Sequence, residues 1–203
     1  MLVSPNMSDA APSARAWLKS RTDAVHARLD ADLSTFDLTQ LDEYRAFLAV
    51  HRLALPVLER AIAESEFSLR LPAWDGSQRE DALAADLEGT GQQTPAATTQ
   101  PKLTTEHAWG VAYVLEGSRL GGKVLTRRAM RSADERVREN TKFLSHRGTI
   151  RWPEFIAKME VALVGAASRE RALDGAMLAF QTYTDAFAAV RGEGANRERT
   201  TLA

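Results

Sequence analysis

Cysteine is absent from this chain, which removes disulfides, thiolate chemistry, zinc–thiolate sites and iron–sulfur clusters from the possible functions. Such a composition fits a reducing compartment, although many exported proteins also lack cysteine. Long apolar runs are missing too. No stretch approaches the ~18 consecutive apolar residues of a membrane span, and the opening MLVSPNMSDAAPSARA has no basic segment followed by an apolar one, so it does not read as a secretory signal. A strong charge of either sign is lacking as well: 26 basic residues face 27 acidic ones. That balance offers no electrostatic pull towards nucleic acid or an anionic membrane. The expectation is a soluble, cytoplasmic protein with neither nucleic acid nor membrane as partner. Internal repeats, alternating runs of β-branched residues and a Gly-x-Gly-x-x-Gly nucleotide fingerprint are also absent.

What is present is helical periodicity. With 203 residues, 44% hydrophobic and 26% charged, the chain can bury one ordinary core. Ser13 is a plausible N-cap for a first helix on which Trp17, Val25 and Leu29 share a face. A second helix starts near Asp37 or Thr39, and Pro56 inside it should kink it rather than end it. A shorter one follows around Glu80–Leu87, and Thr105 opens a long apolar helix running towards Met130. WPEFIAKMEVALVGA and ERALDGAMLAFQTYTDAFAAV supply the last two. Residues 89–101 lack large apolar side chains and read as a surface loop. The expected architecture is an all-α, single-domain helical bundle over residues 13–191, between a disordered arm at 1–12 and a disordered tail at 192–203.

Two segments carry possible chemistry. In LKSRTDAVHARLD, Lys19, Thr22, His26 and Leu29 recur at spacings of three and four, so Lys19 and His26 project from one side of a helix. Taken alone, a histidine there is more often a surface or satisfied core residue than a metal ligand. In AYVLEGSRLGGKVL, three glycines interrupt a helix at Gly117, Gly121 and Gly122, each costing about 1 kcal/mol against alanine. Close helix packing, a kink, or a flat ligand lying against bare backbone would each explain them. Tyr113, Gly117 and Gly121 fall at i, i+4 and i+8, so the phenol and two of the glycines share a face. His51, His107 and His146 have no partners at metal-ligand spacing and read as ordinary surface or core residues.

Together the two segments resemble the bacterial heme oxygenases. The first is similar to that family's proximal helix, with its Leu-x-x-x-Thr-x-x-x-His pattern, and the second to its distal helix. KFLSHRGTIRWPEF and AMLAFQTYTDAF follow in the family's order, and the resemblance covers roughly residues 14–191. It implies that His26 is the axial ligand of haem iron. It implies further that Lys19 and Tyr113 contact the haem propionates, to which ammonium and phenol groups are suited donors. Catalytic positions would be Gly117, Ser118 and Gly121, the two glycines admitting the ligand close to the backbone. Gly122 and Phe180 would complete the cofactor-binding set, Gly122 through the bend. Ser118 stands where another branch of the family carries an aspartate that organises distal water, which leaves open what holds that water here. Glu116 reads as a structural salt-bridge partner.

The resemblance implies an enzyme for which haem is both substrate and cofactor, with biliverdin, carbon monoxide and ferrous iron as products. Dioxygen and a separate electron donor, a reductase or ferredoxin, would be required. Two other readings compete: a non-catalytic haem-binding or haem-sensing domain of the same fold, and a helical interaction bundle with no cofactor.

Overall fold

A computed structural model describes residues 12–93 and 99–201. Ten α-helices are present among them: α1 (Ala14–Leu33), α2 (Leu41–Ala63), α3 (Phe67–Arg70), α4 (Glu80–Gly89), α5 (Thr105–Ser118), α6 (Gly122–Ala129), α7 (Glu135–Glu139), α8 (Lys142–Ser145), α9 (Trp152–Ala162) and α10 (Ala166–Thr201). Short 3-10 segments occupy Pro72–Ser77 and Arg119–Gly121. There is no strand among the described residues, as the periodicity leads one to expect.

Helix α10 is the organising element. Its most extensive packing is against α5, with α1 and α2 on its other sides. Helices α1 and α5 both rest on α10 but have no comparable contact with each other. The α5–α10 crossing is close because glycines face backbone there. A Cβ on Gly110 would collide with the carbonyl of Ala172, and one on Gly175 with the carbonyl of His107. Ala108, Ala112, Ala172, Ala176 and Ala179 complete this small-residue seam. Towards α3 and α9 the core becomes aromatic, with Phe67 against Trp109 at 4.8 Å between ring centres and Trp109 against Phe155 at 5.5 Å.

Several helix starts are secured from a distance. Ser13 caps α1 as expected, accepting from the Ala16 amide at 3.2 Å, but the carboxylate of Glu160 on α9 also takes the amides of Ala14 and Arg15. Asp86, fully buried on α4, accepts from the amides of Lys142 and Phe143 at the start of α8. Carboxylates suit these places because helix N-termini present unpaired N–H groups and partial positive charge.

The expected boundaries differ in three places. Helix α2 begins at Leu41 because Asp37 closes a turn on Thr39 instead of capping the helix. The single long helix expected from Thr105 is broken after Ser118 into a 3-10 turn and α6. The break falls where Gly122 presses against the Leu144 carbonyl, a spot with no room for a Cβ. At the other end, α10 continues as helix to Thr201, beyond the expected limit of 191. Most of the expected N-terminal arm lies outside the described residues.

Candidate haem site

On α1, Leu18 and Thr22 are buried, and the Thr22 hydroxyl donates to the Leu18 carbonyl at 2.9 Å. These two anchor the helix, so Lys19 and His26 are left on the accessible side, with side chains 60% and 57% exposed. Lys19 pairs with Asp23 at 2.9 Å and His26 Nε2 lies 3.4 Å from Asp30. Exposed pairs of this kind contribute little and exchange readily for another partner. The His26 ring also meets Phe180, buried on α10, at 5.8 Å between centres.

On α5, Tyr113 is half-buried beside Trp152, with ring centres 5.7 Å apart. Burial pushes its phenol pKa up, and the charges of Arg15, Asp23 and Lys19 on α1 act on it. Gly117, near the end of α5, and Gly121, in the 3-10 turn that follows it, behave unlike the packed glycines. A Cβ on Gly117 would approach only the Trp152 ring, at an ordinary 3.8 Å, and one on Gly121 would meet nothing within 4 Å. No packing constraint within the protein demands glycine at either position.

Behind Ser118 lies a buried polar cluster that the sequence reading missed. The Ser118 hydroxyl donates to the Leu115 carbonyl at 2.7 Å and accepts from Arg79 at 2.9 Å. The Arg79 guanidinium lies over the Phe143 ring, 4.9 Å from its centre. Arg119 pairs with buried Glu116 at 3.1 Å, the structural role expected for that glutamate, and contacts His146 Nδ1 at 2.9 Å. On α2, the Glu59 carboxylate accepts from the amides of Arg79 and Glu80. His51 Nδ1 lies 3.4 Å from the Tyr183 hydroxyl, between Phe47 and Phe143. Burial, with a contribution from Arg79, lowers the His51 pKa to about 3, so its ring is neutral. Arg79 Nε, Arg119 Nη2 and His51 Nε2 are buried with no protein partner, a pattern that ordered water characteristically resolves. His107 has a different task, closing a capping box with Thr104 at the start of α5.

These residues fit haem: an accessible imidazole beside a buried aromatic, cationic and phenolic donors for carboxylates, and a helix face bare of side chains. Among the described residues no group of three or more His, Asp or Glu side chains could hold a free metal ion, and none is needed where a porphyrin supplies the other ligands. No described helix is long and apolar enough to cross a membrane. A cleft of about 940 Å³ opens elsewhere, around Glu64, Arg70, Glu106 and Lys158. It contains none of the expected site residues.

Fold and site thus define an all-helical protein with an accessible histidine on α1 and glycines at 117 and 121 that no side-chain neighbour crowds. The family model for heme oxygenase matches residues 13–189. A heme oxygenase of Xanthomonas campestris pv. campestris (strain 8004) is 31% identical over 149 residues, covering 73% of this chain and 90% of that protein. The NO- and CO-bound heme oxygenase of Neisseria meningitidis superposes with a TM-score of 0.71 at 21% identity, over 90% of this chain and 94% of the other; at that identity the likeness bears on fold alone. The chain belongs to the heme oxygenase family.

Proposed function

We propose that this protein is a heme oxygenase that binds haem through His26 and cleaves it oxidatively to biliverdin, carbon monoxide and ferrous iron. The observation that carries this reading is the pair Gly117 and Gly121, glycines that no protein neighbour requires, at the end of the helix that carries Tyr113 and in the turn just after it. When bound, haem supplies both the iron that activates dioxygen and the ring that is oxidised.

The protein's own residues then act by positioning. The His26 imidazole, held only by its weak contact with Asp30 and packed against Phe180, would be the residue that holds the iron. Lys19 exchanges Asp23 for a haem propionate. Tyr113, whose raised pKa keeps its proton, would likewise donate to a propionate. The two contacts fix the rotation of the macrocycle in its plane. Gly117 and Gly121 let the backbone of the distal helix approach the reacting edge, and Gly122 sets the bend that presents them. Ser118, held by Arg79, together with the unpaired N–H groups of Arg79 and Arg119, orders water over that edge and supplies a path for protons.

Electrons come from a separate reductase or ferredoxin, since the chain has no nucleotide fingerprint of its own. Residues 13–191 form the functional unit, and a cysteine-free chain suits the reducing cytoplasm.

The test is reconstitution with haem, followed by reductant and oxygen, with the visible spectrum monitored for biliverdin. A stoichiometric complex that yields none would favour a haem-binding or sensing role instead. His26→Ala should abolish the histidine-ligated spectrum, and an unchanged Soret band in that variant would refute the ligand assignment.

A further inference from the structure

Helix α4 begins without a cap of its own. Its N-cap residue is Arg79, which has no side-chain acceptor, and the side chain of Glu80 turns outward to Arg52 and Arg60 at 3.0 and 3.6 Å. The vacant capping role is filled from α2. Glu59, 2% exposed, places Oε1 2.9 Å and Oε2 3.1 Å from the Arg79 amide, with Oε2 also 3.2 Å from the Glu80 amide. A serine or aspartate at position 79 could cap the helix locally, but it could not also reach Ser118. With a cap borrowed from another helix, the N-cap side chain is free to be an arginine directed at Ser118.

We propose that Glu59 is a positioning residue of the distal pocket: by gripping the amides at the start of α4 it fixes the Arg79 guanidinium on the Ser118 hydroxyl. The proposal rests on the haem reading for its consequence, though not for the grip itself. The backbone of Arg79 is clamped by Glu59, its guanidinium plane by Phe143, and its tip by Ser118, so releasing the first contact frees the lever.

The grip is also sensitive to pH. Burial raises the Glu59 carboxyl to about 7, against the pull of the two amides and of the Arg79 and Arg119 guanidiniums. The charged and titratable groups facing it are Arg79 at the start of α4, Arg119 in the 3-10 turn and Tyr183 on α10. Protonation converts one carboxylate oxygen from acceptor to donor, with two backbone N–H groups opposite it.

Two measurements test this. In the protein without haem, the backbone-amide NMR signals of Arg79 and Glu80 should titrate together with a midpoint near neutrality, and in Glu59→Gln both should be flat across the range. Signals that are flat in the native protein, or that titrate unchanged in the variant, would overturn the grip. In the haem complex, Glu59→Gln should move the pH midpoint of the ferric visible spectrum by roughly half a unit, about threefold in proton affinity. The same substitution in an Arg79→Leu background should move it no further, because Glu59 acts through Arg79. An equal shift in both backgrounds, or none in either, rules out positioning. Failure to form any Soret complex counts against the haem reading alone, since the amide titration needs no haem. If Glu59→Gln does not fold, the native amide titration decides.

Discussion

Gly110 and Gly121 lie on one stretch of chain, about three turns of helix apart, and they do opposite things. At Gly110 the backbone of α10 occupies the space a side chain would need, and Gly175 returns the same compliment to α5. At Gly121 the space is open, and at Gly117 nearly so. Both ends use glycine to remove a side chain, one to admit another helix and the other to leave a face clear. In sequence they are the same letter; the difference lies entirely in what stands opposite.

The sharpest way to break that contrast is substitution at each end. Gly110→Ala forces a methyl into the Ala172 carbonyl, which cannot retreat without parting α5 from α10. A loss of stability on the order of 3 kcal/mol is expected in denaturant unfolding of the protein without haem. Little change there would mean that the seam is looser than described. Gly121→Leu should leave unfolding within about 0.5 kcal/mol of native while biliverdin formation falls about a hundredfold. Full turnover in that variant would show that the open face is not the reacting one.

A second contrast separates two buried groups on one face of α2. His51 has its pKa lowered to about 3 from 6.5, so it contributes stability that is complete above 6.5 and drains away as pH falls towards 3. Glu59 is raised to about 7 from 4.5, so its contribution is complete below 4.5 and is lost as pH rises through 7. Each slope is about 1.4 kcal/mol per pH unit, and between 4.5 and 6.5 they oppose one another. His51→Phe, placed among Phe47, Phe143 and Tyr183, should leave the Glu59 slope unopposed. Between pH 4.5 and 6.5 the stability of the variant should then fall more steeply with rising pH than that of the native protein. A variant profile with the same slope as the native one would refute the neutral buried imidazole. The smallest effect belongs to Lys19→Met. Its pair with Asp23 is exposed, so a stability change of only about 0.3 kcal/mol is expected, and the signature is an altered biliverdin isomer ratio at nearly constant iron ligation.

Much of the fold is legible because it depends on local rules. Ser13 caps α1, Lys19 and His26 share its accessible side, and apolar periodicity marks the long helices before any packing is known. The exact break after Ser118 was less visible, since the clash that makes Gly122 necessary comes from Leu144, more than twenty residues later. The polar cluster was missed although it left a trace: His51, Leu55, Glu59 and Ile62 fall on one stripe of α2, and a carboxylate on an apolar stripe asks for a partner. Arg79 left another, an arginine where a helix start ordinarily has a serine or aspartate.

By itself the sequence determined the helices, the family motifs and which short segments carry an imidazole, an ammonium and a phenol, because helix periodicity and donor chemistry are properties of short segments. Only the tertiary structure decided which glycines are filled by a neighbour and which are left bare. It alone decided that Glu59 caps a helix it does not belong to, so that Arg79 can reach Ser118. Such roles depend on backbone groups brought together from distant parts of the chain, and no local pattern records where those groups will meet.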